Sequence, residues 1–303
     1  MEVGELNMGT MPASQGRAQP TRQGHLFEGV PGDKPSRKQI VFERYTGKDR
    51  RLDRLLPLLP ECHHYCEPFG GSVAVLLNRP PSPVETYNDI DSEVVNFFHM
   101  LRDHKDELLY QTGKTAPSKE EFLKATEAKG KERNHLSDLE RARRFFVRAQ
   151  QVRMGLAQTA SAEGRANCLS ISRPGMARAV SHWLGSVEGL ESLAARLLRV
   201  QIEHDASENV IKRYDDPKTL FYCDLPYRHE PRGATEARSL EMSDQEHMQL
   251  SRVLHAAKGK VAVSGCLCDL MCELYKDWQI RLDKPWKAIS VKKERQEALW
   301  TNY

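Results

Sequence analysis

The chain has 303 residues, 39% of them hydrophobic and 29% charged, which suits a soluble protein with one large core, and no apolar run is long enough to span a membrane. With 45 basic and 42 acidic residues the net charge is only +3, so any nucleic-acid face has to come from local clustering. Seven cysteines without the paired spacing of a zinc site, and no charged-then-apolar leader, lead us to expect free thiols, no metal and a cytoplasmic location.

Residues 1–37 are rich in Gly, Pro, Ser, Gln and Arg and carry no apolar period, so they read as a disordered tail. Order is expected from Ile40-Val41-Phe42. Tyr45-Thr46-Gly47-Lys48 then forms a turn whose backbone N–H groups suit an anion, ahead of a leucine-rich helix that stops at Pro60. Tyr65-Cys66-Glu67-Pro68-Phe69-Gly70-Gly71-Ser72 reads as a strand and a glycine turn, with Ser72 capping the next helix. Val84 to Tyr87 is a second strand closed by Asn88-Asp89-Ile90-Asp91, and an acid there is placed to hold ribose hydroxyls. The glycine spacing is not GxGxxG, which argues against a nicotinamide enzyme.

A helix is predicted from Ser92, its cap, to about Tyr110. Another starts after Ser118, and a long one covers Leu136–Val152. Residues 141–153 hold Arg141, Arg143, Arg144, Arg148 and Arg153, with Gln150 and Gln151 between them and no acid. This stretch is either a solvated face or a nucleic-acid contact. A polar loop runs from 158 to 176. Helices over 177–186 and 191–198 precede a strand at 200–203, Asp205 and a helix over 206–214.

Thr219 to Tyr227 is the most informative stretch. An apolar strand stops at Asp224-Leu225-Pro226-Tyr227, presenting a carboxylate and a ring at its carboxyl end, where open α/β sheets place ligands. A charged loop covers 228–241. Ser243 and Glu246 then make a capping box, Lys260–Gly265 is a strand, a helix carries Leu270 and Leu274, and the tail from Gln279 holds two antiparallel edge strands. The alternation predicts an α/β, Rossmann-like, mostly parallel sheet with helices on both faces. Its catalytic domain would span 38–109 and 199–303, with a mainly helical insert over 110–198.

Together, Glu67-Pro68-Phe69-Gly70-Gly71-Ser72, Tyr87-Asn88-Asp89-Ile90-Asp91, Asp224-Leu225-Pro226-Tyr227, Ser264-Gly265 and the closing Leu299-Trp300-Thr301-Asn302-Tyr303 resemble the Dam-type, S-adenosylmethionine-dependent adenine-specific DNA methyltransferases. The resemblance implies S-adenosylmethionine as cofactor and methyl transfer to N6 of an adenine flipped out of double-stranded DNA. It implies cofactor contacts from Tyr45, Gly47, Lys48, Glu67, Pro68, Phe69, Gly70, Gly71, Ser72 and Asp89, with Asp205 toward the adenine edge. Asp224, Leu225, Pro226 and Tyr227 would be catalytic, and Arg141, Arg144, Arg148, Gln151 and Arg153 would face DNA in the recognition insert. A monomer is expected, and a restriction endonuclease is the partner such an enzyme can have.

The residues also explain the tetrapeptide by themselves. An adenine amine is a poor nucleophile because its lone pair is delocalised. A carboxylate and a backbone carbonyl accepting its two N–H bonds, with a ring to stack the base, would make it reactive by fixed geometry. Two departures stand out: Leu225 replaces the family's first proline, and Tyr45-Thr46-Gly47-Lys48 is one glycine short. They lead us to expect reduced or altered activity, and they keep two alternatives open: a DNA-binding relic without efficient chemistry, and a methyltransferase for another planar amine, in RNA or a protein amide.

Overall fold

The computed structural model describes residues 38–42, 51–115, 117–127, 135–152, 171–173, 176–226, 242–287 and 294–303. The expectations for residues 1–37, Tyr45, Gly47, Lys48, Arg153, the loop to 170, Tyr227 and the loop 228–241 lie outside the described residues.

Helix α1 (Leu52–Leu55) runs into a short 3₁₀ turn and leads to strand β1 (His64–Glu67), helix α2 (Ala74–Asn78) and strand β2 (Val84–Asn88). The helical stretch follows: α3 (Ser92–Asp103), α4 (Lys105–Lys114), α5 (Lys119–Glu127) and α6 (Asp138–Gln151). A small hairpin, β3 (Ile171–Arg173) and β4 (Met176–Ala177), feeds α7 (Arg178–Leu197). Next come β5 (Val200–Glu203), α8 (Ser207–Arg213), β6 (Thr219–Asp224), α9 (Asp244–Ala256), β7 (Lys260–Cys266) and α10 (Asp269–Leu274). The last strands are β8 (Gln279–Leu282), β9 (Trp286–Lys287), β10 (Glu294–Arg295) and β11 (Glu297–Thr301).

Seven strands form one sheet in the order β5-β2-β1-β6-β7-β11-β8. The first five are parallel, and β11 runs antiparallel to both β7 and β8. Chain order and sheet order cross between β1 and β2 on one side and β6 on the other, so three strand ends converge where the direction of winding reverses.

The apolar run of β6 is explained by its two covered faces. Leu220 and Tyr222 join Tyr65, Ala262 and Leu299 in a core shared with α1, α3, α6 and α7. Phe221 and Cys223 join Cys66, Val263 and Trp300 in a core shared with α8, α9 and α10. All five residues from Thr219 to Cys223 are buried, as a central parallel strand requires. The helices between 110 and 198 build on the sheet's own core: Phe97 stacks on Phe146 at 5.8 Å, and Phe42 meets Phe145 edge-on at 5.3 Å.

Several boundaries differ from the sequence-based expectation. The helix expected over 92–110 breaks at His104, whose backbone leaves the helical region, and its cap is Asp91, which accepts from Glu93 N–H, rather than Ser92. The two helices expected over 177–198 are one. The capping box of Ser243 and Glu246 forms as expected. Ser72 does not cap α2, because the cap position is Val73, buried and left-handed at φ 56°, where a β-branched side chain is strained.

Candidate functional site

The site is built at the carboxyl ends of the adjacent strands β2, β1 and β6. After β1 the chain turns through Pro68, Phe69, Gly70 and Gly71. Gly70 N–H donates to the Asn88 carbonyl at 2.8 Å, and a Cβ on Gly70 would lie 2.1 Å from the buried Tyr87 ring. Gly70 is therefore required by contact with β2. Gly71 holds φ 53°, which a glycine adopts without strain. Its N–H donates to Asp89 Oδ2 at 2.8 Å, and Asp91 N–H donates to Asp89 Oδ1 at 2.9 Å. Asp89 is thus a buried carboxylate fixed by two backbone donors at the end of β2.

Beside it, Ile90 is 64% exposed although large and apolar. Sequence reasoning passed over it, yet an acid fixed by backbone followed by an open apolar side chain suits a ribose and its base. Asn88 was passed over too. Its Nδ2 donates to the carbonyls of Pro68 and Asp205 at 2.9 and 3.0 Å, and its Oδ1 accepts from Asp205 N–H at 3.0 Å. One buried amide thereby ties the loops after β1 and β5 to the end of β2. The signal available in the sequence was an amide directly before the acid that closes a strand.

Asp205 is held more firmly than a lone ligand would be. Its carboxylate accepts from Ala206 N–H and Asn209 Nδ2 and pairs with Arg213 at 2.7 Å. These donors, Asn209 first, hold its pKa below the usual carboxylate range. Glu67 turns inward. It is 2% exposed, accepts from Tyr65 O–H at 2.8 Å and from Leu76 N–H, and so anchors the first turn of α2 from the strand below. Burial, with the nearby charge of Asp224 adding to it, pushes its pKa up to about 8, so this carboxyl holds its proton at neutral pH.

Asp224 ends β6, largely buried and opposite Ser264 in register. The ladder continues one residue further: Leu225 N–H donates to the Ser264 carbonyl at 3.0 Å, and the Leu225 side chain is 2% exposed in the core beneath. A proline has no such N–H, so the leucine fixes this turn by a hydrogen bond and a buried side chain where the family's residue would use its ring. Pro226 follows, half-buried.

The arginine stretch does not face outward as a free cationic surface. Arg141 pairs with Glu93 at 2.7 Å and with Asp138, Arg143 with Glu140 and Glu121, and Arg144 with Glu140 and the Lys124 carbonyl. Arg148 and Gln151 are buried at 5% and 6% exposure, and Arg148 bonds Glu93 and the Ala125 carbonyl. For Arg148 and Gln151 the expected outward DNA contact is corrected. They point into the helical layer, and the acids that hold the stretch lie outside it in sequence.

The residues present suit S-adenosylmethionine by their chemistry. Asp89 could accept from ribose hydroxyls, Ile90 offers an apolar flank, and the Asp224 carboxyl at the neighbouring strand end suits a cationic sulfonium, whereas Glu67 is buried and protonated.

A family model described as D12 class N6 adenine-specific DNA methyltransferase matches residues 45–295. Among curated proteins none matches. Solved structures similar to this chain include SMU.1697c, a presumed methyltransferase from Streptococcus mutans in complex with SAH. It has 10% identity over 86% of this chain and 98% of that one, with a TM-score of 0.37. The presumed methyltransferase yhhF from Escherichia coli has 11% identity over 84% of this chain and 82% of its own, with a TM-score of 0.32. A presumed rRNA methylase from Clostridium thermocellum has 8% identity over 86% and 98%, with a TM-score of 0.37.

Two outcomes follow from this geometry. Asn88→Ala leaves a buried and a part-buried carbonyl without their donor, so it is expected to cost about 1–3 kcal/mol in urea denaturation and to weaken S-adenosylmethionine binding at least about tenfold by calorimetry. Unchanged stability and binding would rule out the tie. Glu67 has a folded pKa of about 8 against an ordinary 4.5, so the wild type loses stability as pH rises from 4.5 through 8. Glu67→Gln has no such loss. Its stability relative to wild type should therefore climb between pH 5.5 and 9 by an amount on the order of a few kcal/mol, and a difference independent of pH would contradict the buried acid.

Proposed function

The chain belongs to the D12 class of N6 adenine-specific DNA methyltransferases, and from that premise we propose how its residues divide the work. The enzyme uses S-adenosylmethionine to methylate N6 of adenine in DNA. The cofactor supplies a methyl group on a positively charged sulfur. In this proposal the loop Pro68–Ser72 and Asp89 hold it, with Ile90 along its base. Tyr45, Gly47 and Lys48 serve its methionine end, and Asp205 acts through the loop that Asn88 fixes.

Asp224 and the Leu225 carbonyl accept the two N–H bonds of the extruded adenine amine. This draws the nitrogen lone pair out of conjugation and aims it at the methyl. As the C–S bond would break to leave a neutral thioether, the amine gives up a proton, and the partly exposed Asp224 is its acceptor. Pro226 stiffens the turn, and Tyr227 provides the face on which the base stacks. Water exclusion and positioning account for the rest of the rate.

The observation that carries this reading is the ladder bond from Leu225 N–H to the Ser264 carbonyl. It gives the turn a fixed shape without a proline at position 225. It favours a working enzyme over a relic that has lost its catalytic turn. The finer parts of the proposal are recognition by the helical stretch 110–198 and a cytoplasmic monomer acting on double-stranded DNA. Where it serves restriction–modification, an endonuclease would read the same sequence. Among the described residues no helix is long and apolar enough to cross a membrane.

Transfer of tritiated methyl to duplex DNA tests the reading, and no incorporation at saturating cofactor would refute it. Asp224→Ala should lower kcat by about 10²–10³-fold while cofactor binding stays near that of wild type, and normal turnover would remove Asp224 from its role. Leu225→Pro loses the ladder bond and a buried side chain, so it should cost about 1–3 kcal/mol and give no gain in kcat. A faster, equally stable variant would show that the leucine is a defect.

A further inference from the structure

With the arginines of α6 engaged by acids of their own chain, the positive charge available near Asp224 lies elsewhere. A single row of paired residues crosses the sheet at the level of the catalytic acid: Asp224 opposite Ser264, Ser264 opposite Leu299, and Leu299 opposite Arg281. Side chains paired in register share a face, and this face is the one that carries Tyr222, Ala262 and Leu299. Arg281 therefore lies on the same side of the sheet as Asp224, three strands away, or about 14 Å at ~4.8 Å per strand.

Between this row and α1 lies a cleft of about 130 Å³. Leu55, Leu58 and Leu299 form part of its apolar lining, and Arg51, Arg54 and Arg281 supply its cations. Two acids also line it, Asp283 and Glu297, and both are held. Arg51 pairs with Glu297 at 2.8 Å and with Asp283 at 3.2 Å, and Arg54 pairs with Asp283. Arg54 is still 53% exposed, whereas Arg51 is 14% exposed and serves the ion pairs. Arg281 is exposed and has no acid partner among the described residues. Lys284, exposed two residues past the end of β8, gives its backbone N–H to Asp283 and has no acid partner among the described residues.

We propose that this cleft seats the sugar–phosphate backbone of the DNA strand that carries the target adenine, with Arg281 and Lys284 neutralising its phosphates. The assignment rests on Asp224 being the catalytic acid. A base brought to Asp224 leaves its backbone outside the strand ends, and the exposed Arg281 lies in the same row of the sheet as that acid. The apolar floor faces sugars, and guanidinium groups suit phosphate oxygens. Contacts of this kind set position and affinity without reading sequence.

The test is the salt dependence of DNA binding by the full chain, followed by fluorescence anisotropy on a duplex with adenine opposite a mismatch. Each phosphate contact contributes ~0.9 to the slope of log affinity against log salt. Arg281→Ala with Lys284→Ala should reduce the slope by about 2 and weaken binding at least about tenfold at low salt on every sequence tried, with S-adenosylmethionine binding unchanged. Arg281→Lys should restore one contact. Lys212→Ala, which removes an exposed charge from α8 on the opposite face, should leave the slope as it is. An unchanged slope in the double variant, or an equal fall in Lys212→Ala, would overturn the cleft alone. A wild-type chain that binds S-adenosylmethionine but no duplex would overturn the methyltransferase reading together with it.

Discussion

Asn88 is the point on which the geometry of the site depends. Three strands of a parallel sheet end side by side, and each hands over to a loop whose direction the ladder no longer controls. A buried side-chain amide that donates to two of those loops and accepts from one supplies the missing order. Because its own strand is paired on both sides, by β1 and β5, the amide cannot drift. The neighbouring Asp89 inherits that stability through its bonds to Gly71 and Asp91. Three hydrogen bonds from one residue cost little conformational entropy, since a buried Asn has few rotamers to give up.

The helical layer shows a different economy of charge. Glu93, nearly buried, receives both Arg141 and Arg148, so α3 and α6 are joined by an ion pair shielded from water as well as by Phe97 against Phe146. Pairs of this type fix register more reliably than they add stability. Glu140 similarly holds Arg143 and Arg144 on one side of α6. The cationic look of residues 141–153 belongs to the primary sequence. In three dimensions it is largely balanced.

This contrast explains what the sequence made legible. Buried runs such as Leu220 to Cys223, the spacing of Ser243 and Glu246, and the acids closing β2 and β6 are local patterns, and local patterns survive folding unchanged. The parallel sheet, its helices on both faces and the place of the site follow from them. What stayed hidden depended on partners far apart in the chain. Glu93 lies 48 residues from Arg141, and Asn88 lies 117 from Asp205, so neither pairing leaves a mark in any window. Backbone detail was hidden for another reason. Ser72 is a good cap by type, but Val73 takes the position in a left-handed conformation that no propensity favours. Leu225 looked like a lost proline because its N–H bond to Ser264 belongs to the backbone, which the letter code does not record.

The buried Glu67 beside Asp224 bears on what happens after the reaction. Burial is the first reason that Glu67 keeps its proton at neutral pH, with the charge of Asp224 adding to it, so the negative charge at these strand ends rests on Asp224. In the proposed reaction a sulfonium becomes an uncharged thioether, so its attraction to that carboxylate would end with the chemistry. A site built this way would grip its fresh cofactor through the charge of Asp224 alone and let the spent one go once that attraction is gone, which gives turnover a direction.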